Sequence, residues 1–421
     1  MYILKSVKID NFRGRSSKCI NFYKDINFLI GENGSGKTTI LKIILGLLTA
    51  NIRSLFSLPF GSTEIKLCSF KDKRLADIII IAKRKNDSLE FSYQRGLQEL
   101  KTIKIDSEET SSFRERFSFH ERKFLFYPER LKIENYALLN RKKIIDFEEF
   151  IKKFVSFDDL SVDRLSFNSL DVRRERERDN SIDTVLEDVI GELVVYFKDL
   201  SLKASQKDNL LKETYITSLL VPQHPQSIRT PLSANIMKEK LTNILRTLGL
   251  YKQQKELAEF LNTYSNEEKK CHLSPDSIRM KKIIDVYDEV EKMKEEIFYP
   301  REIFLQVLNK LLKNKRIEYS ESKEHEESLS IQQEGSSLKP IQLSSGEKHL
   351  LILLGKTLLQ KNSPRIFIAD EPEISLHIQW QRELVKAIRM LNKNAQIIFA
   401  THSPEIVAGY SEKLHNLSEM K

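Results

Sequence analysis

The sequence predicts an α/β fold in which two lobes, one near each end of the chain, flank a mainly helical insertion. Three observations predict it. An apolar run, Ile26–Ile30, passes through a glycine-rich segment into helix-spaced residues from Thr38 to Leu48. Short β-rich runs follow between residues 64 and 94, and strand and helix patterns alternate again after residue 347. The expected boundaries are 1–130 for the N-terminal lobe, 131–314 for the insertion and 315–421 for the C-terminal lobe.

The elements are justified in order. Ile3, Val7 and Ile9 alternate, which predicts a strand from Tyr2 to Ile9, and Asn11-Phe12-Arg13-Gly14 reads as a turn after it. The runs Glu64–Phe70, Ala76–Ala82 and Leu89–Tyr93 are separated by charged turns such as Lys83-Arg84-Lys85-Asn86-Asp87, so an antiparallel meander is expected. In the middle, Val185, Val189, Leu193, Phe197 and Leu200 form one apolar stripe at helical spacing. Ile283, Val286, Val290, Met293 and Ile297 form another, heptad-like for only about two heptads. Core packing accounts for both stripes, and a compact insertion built on a helical hairpin is expected. Ser161–Asn180, with its Arg173–Arg178 charge run, and the proline-rich Val221–Ser233 read as exposed connections. Arg316–Ser320 and Ser328–Gln332 pair as a hairpin in this reading. A helix from Glu347, a strand Ile366–Ala369, a helix Ile378–Leu391 and a strand Gln396–Ala400 follow.

Composition bounds the function classes. The longest apolar runs, such as Ile78–Ala82 and Leu350–Leu354, fall far short of the roughly 20 residues of a membrane span, and no secretion signal is read at the start. Three scattered cysteines, Cys19, Cys68 and Cys271, offer neither metal spacing nor a disulfide framework, which points to the cytoplasm. The net charge of +9 is a small excess of 69 basic over 60 acidic residues. It is compatible with a nucleic acid or an acidic protein as partner, and equally with a mixed solvated surface.

Gly31-Glu32-Asn33-Gly34-Ser35-Gly36-Lys37-Thr38 fits G-x-x-x-x-G-K-[ST] and sits between an apolar strand and a helix, where the chemistry requires it. Its glycines let backbone N–H groups turn toward phosphate oxygens at the positive end of the following helix. This predicts an ATP site built from Gly31, Asn33, Gly34, Ser35, Gly36, Lys37, Thr38 and Thr39, with Lys37 on the β- and γ-phosphates. Ile366-Phe367-Ile368-Ala369-Asp370-Glu371 is an apolar strand ending in two carboxylates, the Walker B pattern. Thr38 and Asp370 are the expected Mg²⁺ ligands, and Glu371 the expected catalytic residue that polarises the attacking water.

Leu343-Ser344-Ser345-Gly346-Glu347-Lys348 resembles the ABC signature, with Ser345 in place of one glycine. The resemblance implies that Ser344, Ser345, Gly346 and Glu347 act in trans, on the γ-phosphate of ATP held by a second copy in a head-to-tail dimer. Glu373-Ile374-Ser375-Leu376-His377 resembles the D-loop, and Thr401-His402-Ser403-Pro404 the switch region, which makes His402 the implied γ-phosphate contact. With Asn11-Phe12-Arg13, these motifs resemble the SMC, RecF and OLD branch of ABC ATPases over about the first 100 and last 90 residues. The implied fold is a P-loop ABC ATPase head, a mixed sheet with an antiparallel β subdomain. The Q-loop stays open between Gln94, Gln98 and Phe126-Tyr127-Pro128-Glu129.

A third reading, a transporter ATPase subunit, needs a membrane partner and a compact helical subdomain, and the 309 positions between Lys37 and Gly346 rank it last. Nineteen residues follow His402, too few for the TOPRIM nuclease domain of OLD proteins. The insertion has no clustered metal ligands, and Asp158-Asp159 and Glu148-Glu149 read as solvated acids. A head with a helical insert and no nuclease resembles anti-phage ATPases such as AriA of PARIS and PtuA of Septu or retron systems. That resemblance implies a homo-oligomeric sensor or scaffold controlling a separate effector nuclease in response to a phage-derived trigger. The alternative is a RecF-like DNA-repair ATPase, with Lys132, Arg141, Lys142, Lys143, Lys152 and Lys153 as candidate phosphate contacts.

Overall fold

Parallel and antiparallel strand pairing are sorted into separate sheets. The computed structural model describes residues 1–14, 17–49, 51–86, 88–106, 142–159, 182–220, 234–247, 275–320 and 328–419. They fall into two units. One comprises Met1–Ile190, Val307–Glu318 and Ser330–Lys421, the other Gly191–Gln306 and Tyr319–Leu329.

In the first unit, β1 (Tyr2–Asp10), β2 (Lys18–Asn21), β4 (Ser62–Ser69), β5 (Ile78–Lys85), β6 (Ser88–Arg95) and β7 (Lys101–Asp106) form an antiparallel sheet in the order β2-β1-β4-β5-β6-β7. The expected meander is its centre. β3 (Ile26–Ile30), β8 (Phe157–Asp159), β12 (Arg365–Asp370), β13 (Ala395–Ala400) and β14 (Leu414–Asn416) form a parallel sheet in the order β14-β3-β13-β12-β8. Period-two alternation assigns its faces. Ile366, Ile368, Ile398 and Ala400 join one core with the helix α1 (Lys37–Leu48) and the inner face of the antiparallel sheet. Phe28, Phe367 and Phe399 meet on the opposite face, with ring centroids 6.2–6.4 Å apart. The helix α1 is apolar on nearly every side because sheet residues surround it.

The two sheets are joined by a polar side chain. Where β1 shifts register between Leu4 and Ser6, Gln396 of β13 accepts from the Leu4 N–H at 2.8 Å and donates to the Leu4 carbonyl at 2.7 Å. A buried amide thus takes the place of a missing ladder partner, and none of its hydrogen-bonding capacity at that point is wasted.

The second unit is helical. Within it, Phe197 meets Phe304 at 6.1 Å and Asp208 pairs with Lys294 at 3.2 Å. As one helix advances from 197 to 208, its partner retreats from 304 to 294, so Ile182–Leu220 and Pro275–Leu311 run antiparallel. At about 1.5 Å per residue these are long helices rather than compact ones. The heptad pattern fades in sequence because ion pairs such as Lys294–Asp208 alternate with apolar contacts. Leu193, Phe197 and Leu200 are buried as expected, whereas in the second stripe only Val290 is fully buried, and Ile284, outside the stripe, is buried as well. The helix Ala234–Thr247 adds Leu241 and Ile244 to Ile284. β9 (Arg316–Ser320) and β10 (Ser328–Gln333) are neighbours in a three-stranded sheet completed by β11 (Ser336–Leu338). The expected connections 161–180 and 221–233 lie outside the described residues.

Glu148 differs from the solvated acid expected. On a helix over 142–154 its side chain is only 14% exposed, 3.7 Å from Lys152, and burial pushes its carboxyl up. Among the described residues no helix is long and apolar enough to cross a membrane.

Candidate nucleotide site

Register places the key segments in one row. Leu29 pairs with Ala400 and Ala400 with Asp370, so β3, β13 and β12 end together, and Gly31, Thr401 and Glu371 leave the sheet at one edge. Ligand sites of parallel α/β sheets form at such carboxyl ends.

The loop after β3 turns through positive φ at Gly31, Gly34 and Gly36. Gly36, at φ 99°, is the residue before α1, and a Cβ there would meet the Phe12 ring. Phe12 lies between Asn11 and Arg13, both left-handed, and this turn braces the loop. The Arg13 guanidinium donates to the Gly34 carbonyl and, at 3.0 Å, to the Thr39 hydroxyl. Sequence reasoning used Asn11-Phe12-Arg13 only as part of a motif set; Arg13 is a site residue it missed. Its signal was an arginine flanked by Phe12 and Gly14 in a turn 18 residues before the glycine loop.

Lys37 is 6% exposed, and its ammonium donates to the carbonyls of Gly31 at 2.9 Å and Glu32 at 3.2 Å. Burial pushes the Lys37 amine down, against the pull of Glu371, Asp370 and Glu373. The Thr38 hydroxyl donates to Asp370 at 3.2 Å, which brings the two expected metal ligands together. The Ser35 hydroxyl is buried with no hydrogen-bond partner. Asn33 is exposed at the turn of the loop.

Beyond Asp370 the chain bends sharply. Glu371 is left-handed, at φ 51°, and its N–H donates to the Ala400 carbonyl at 2.8 Å. Such backbone costs about 1–3 kcal/mol in a non-glycine residue and persists only where its surroundings hold it. Glu373 then reaches the switch segment, accepting from Thr401 and from the His402 and Ser403 N–H groups. The His402 side chain is exposed.

The signature residues open the helix Ser345–Leu359. Ser344 and Glu347 form a reciprocal capping box, the Ser344 N–H donating to Glu347 at 2.8 Å. Lys315 pairs with Glu347 at 2.6 Å; although burial acts to raise it, Lys315 and Ser344 hold the Glu347 carboxyl below its usual value. Ser344 and Ser345 are exposed, whereas Gly346 is buried. A Cβ on Gly346 would overlap the carbonyl oxygen of Ser375, so helix start and D-loop touch backbone to backbone. The next residues are anchored too, Lys348 to Asp183 at 2.6 Å and the His349 ring to the Ile374 carbonyl at 3.4 Å.

Other expectations fall elsewhere. Gln94 sits in β6 opposite Ile79 and Gln98 in the turn after it, while 126–129 lies outside the described residues. Lys142, Lys143, Lys152 and Lys153 are exposed on the helix over 142–154; Lys132 and Arg141 are not among the described residues. No cluster of three metal-ligating side chains occurs among the described residues.

A glycine loop, a carboxylate-ended strand and a switch segment on three adjacent parallel strands make this a P-loop ATPase head. The chain belongs to the AAA ATPase domain family AAA_15, whose model matches residues 1–407. It is 25% identical to the "Retron Vc95 probable ATPase" of Vibrio cholerae serotype O1 biovar El Tor, over 99% of this chain and 74% of that protein. It is 35% identical to the "Septu protein PtuA" of Bacillus thuringiensis over 22% of this chain. It is 26% identical to the "DNA double-strand break repair Rad50 ATPase" of Methanococcus maripaludis over 63% of this chain. The match spans only 24% of the Septu protein's length and 22% of the Rad50 protein's. A solved structure, the SMC head bound to the C-winged helix domain of ScpA, aligns over 96% of this chain and 92% of that chain, at 12% identity and a TM-score of 0.42. The chain therefore carries an AAA ATPase domain, with sequence similarity to retron and Rad50 ATPases.

Proposed function

We propose that this chain hydrolyses ATP at a site completed by a second copy, and acts as a cytoplasmic sensor or scaffold in prokaryotic anti-phage defence that controls a separate effector nuclease. The observation that carries the biological role is the similarity to the Vibrio cholerae retron ATPase, which runs along 99% of this chain and 74% of that protein.

The chemistry follows from the site. Residues 31–39 wrap the phosphates with backbone N–H groups, the buried Ser35 hydroxyl finds its partner there, and Lys37 exchanges the Gly31 and Glu32 carbonyls for phosphate oxygens. Thr38 and Asp370, two hard oxygen donors in contact, fit Mg²⁺, which takes one or two protein ligands and completes its shell with phosphates and water. Bound there, the ion neutralises charge on the β- and γ-phosphates. Glu371 orients and deprotonates the attacking water, and His402 senses the γ-phosphate. Ser344 and Ser345, exposed at a helix start, reach the ATP of the partner copy. Because phosphoryl transfer depends on positioning and charge stabilisation, loss of Glu371 slows turnover far more than it weakens binding.

Glu371→Gln is expected to keep ATP binding, lose at least about a hundredfold in kcat, and accumulate as an ATP-bound dimer in light scattering. Undiminished hydrolysis in that variant removes Glu371 from its role. For the biology, co-purification from the native operon should yield a companion nuclease. A lone monomer with no effect on phage plating overturns the defence reading.

A second reading rests on its own observation, the exposed Lys142, Lys143, Lys152 and Lys153 on one helix. If they contact DNA phosphates in a RecF-like repair ATPase, duplex DNA stimulates ATP hydrolysis and the stimulation falls steeply with salt.

A further inference from the structure

Glu373 takes no part in the nucleotide chemistry described above, yet its carboxylate collects more of the site's hydrogen bonds than either acid before it. Its Oε1 accepts from the Thr401 hydroxyl at 2.8 Å, the His402 N–H at 2.8 Å and the Ser403 N–H at 3.2 Å. Gln381 closes the arrangement from behind. Its Nε2 donates to the carbonyls of Glu373 at 3.4 Å and Leu376 at 2.9 Å, and its Oε1 accepts from the Ser403 hydroxyl at 2.6 Å. The other carboxylate oxygen, Oε2, is buried with no hydrogen-bond partner.

A half-buried carboxylate is a costly way to tie down a loop. Leaving one oxygen unpartnered adds a desolvation penalty, and an apolar residue would fill the space without it. What only an anion supplies is a strong, charge-assisted grip on consecutive main-chain N–H groups. Those groups belong to the segment that carries His402, whose own side chain is exposed. The grip also starts from a defined point. Glu373 lies between two left-handed residues, Glu371 at φ 51° and Ser375 at φ 67°, so the turn fixing the expected water-activating acid also fixes the carboxylate holding the switch.

We propose that Glu373 is a positioning residue for ATP hydrolysis: its Oε1 sets the main chain of Thr401–Ser403 so that the His402 side chain is presented to the transferring phosphoryl group. The inference rests on the reading of His402 given above. Glu373 touches no reacting atom and acts only through the switch segment. Its charge also acts on Lys37 together with those of Asp370 and Glu371, so it lies within electrostatic reach of the phosphate end.

The test is a double-mutant cycle in the full chain, with steady-state hydrolysis and equilibrium binding of a fluorescent ATP analogue measured for Glu373→Ala, Glu373→Gln, His402→Ala and the two double variants. Glu373→Ala is expected to lower kcat about tenfold or more while analogue affinity stays within about threefold. Glu373→Gln, which keeps an acceptor of the same reach, recovers part of that loss. In the His402→Ala background either Glu373 substitution lowers kcat by less than about twofold, because the two residues act in series. Losses that multiply overturn the proposal while leaving His402 in its role. A loss of affinity as large as the loss of kcat overturns it too, since the carboxylate then serves the binding site as a whole. If His402→Ala alone leaves kcat unchanged, the reading of His402 fails and the proposal with it. Should Glu373→Ala not fold, Glu373→Gln carries the same cycle.

Discussion

His415 is buried on β14, and its Nε2 lies 3.0 Å from the Asn27 Oδ1, with the ring centroids of Phe22 and Tyr23 each 5.6 Å away. Burial pushes its imidazole below the ordinary value of 6.5. The unfolded chain therefore takes up a proton on this residue before the folded chain does, and stability falls as pH drops below that value. Thermal melting of the nucleotide-free protein is expected to shift downward between about pH 7.5 and pH 5, and His415→Gln should flatten that part of the curve. An unchanged pH profile in the variant removes His415 as its source. The site beside it illustrates a different single-residue effect. Lys37 carries its charge in a pocket that disfavours it, so the protein holds a cation ready for phosphate at a cost to its own stability. Glu373 shows what no local pattern reveals. Its partners lie 28 to 30 residues further along the chain, and only the register of β12 with β13 brings them together.

At the scale of elements, the glycine loop and its helix separate two kinds of failure. Gly36→Ala imposes a left-handed φ on alanine, worth about 1–2 kcal/mol, and drives a methyl group into Phe12. It is expected to lower the melting temperature and abolish binding of a fluorescent ATP analogue. Lys37→Ala abolishes binding alone, since it removes a desolvated charge and leaves the backbone intact. Equal loss of stability in the two variants contradicts this. The loop, α1, β12 and the meander were legible in sequence because local pattern and motif chemistry agree there. β8 and β14, three residues each, were not. Such edge strands carry almost no pattern and exist because β12 and β3 offer them a free ladder. β14 also leads Ser418 to the Glu32 N–H at 3.2 Å, so an element absent from the sequence reading lines the loop that was read most clearly. The helical hairpin was expected but the length of its helices was not, because charged pairs such as Lys294–Asp208 interrupt their apolar seams.

For the whole molecule, the proposed arrangement is two chains whose sites are shared, and this gives the signature and the glycine loop opposite genetic behaviour. Mixing a Lys37→Ala chain with one whose signature alone is broken leaves one site with an intact loop and an intact signature. Ser344→Ala, on an exposed side chain, is expected to behave in this way, and mixed protein should recover a substantial part of wild-type ATP turnover. No recovery with Ser344→Ala argues against the shared site.

Gly346 breaks that symmetry. Its backbone lies against the Ser375 carbonyl, in the turn that begins at Glu371 and carries Glu373. A methyl group there pushes on its own subunit's turn as well as altering what is offered to the partner, so in a mixing experiment Gly346→Ala fails to complement Lys37→Ala where Ser344→Ala succeeds. Genetically, Gly346 belongs to both halves of the machine, and the two lesions fall into one complementation group because of a single backbone contact.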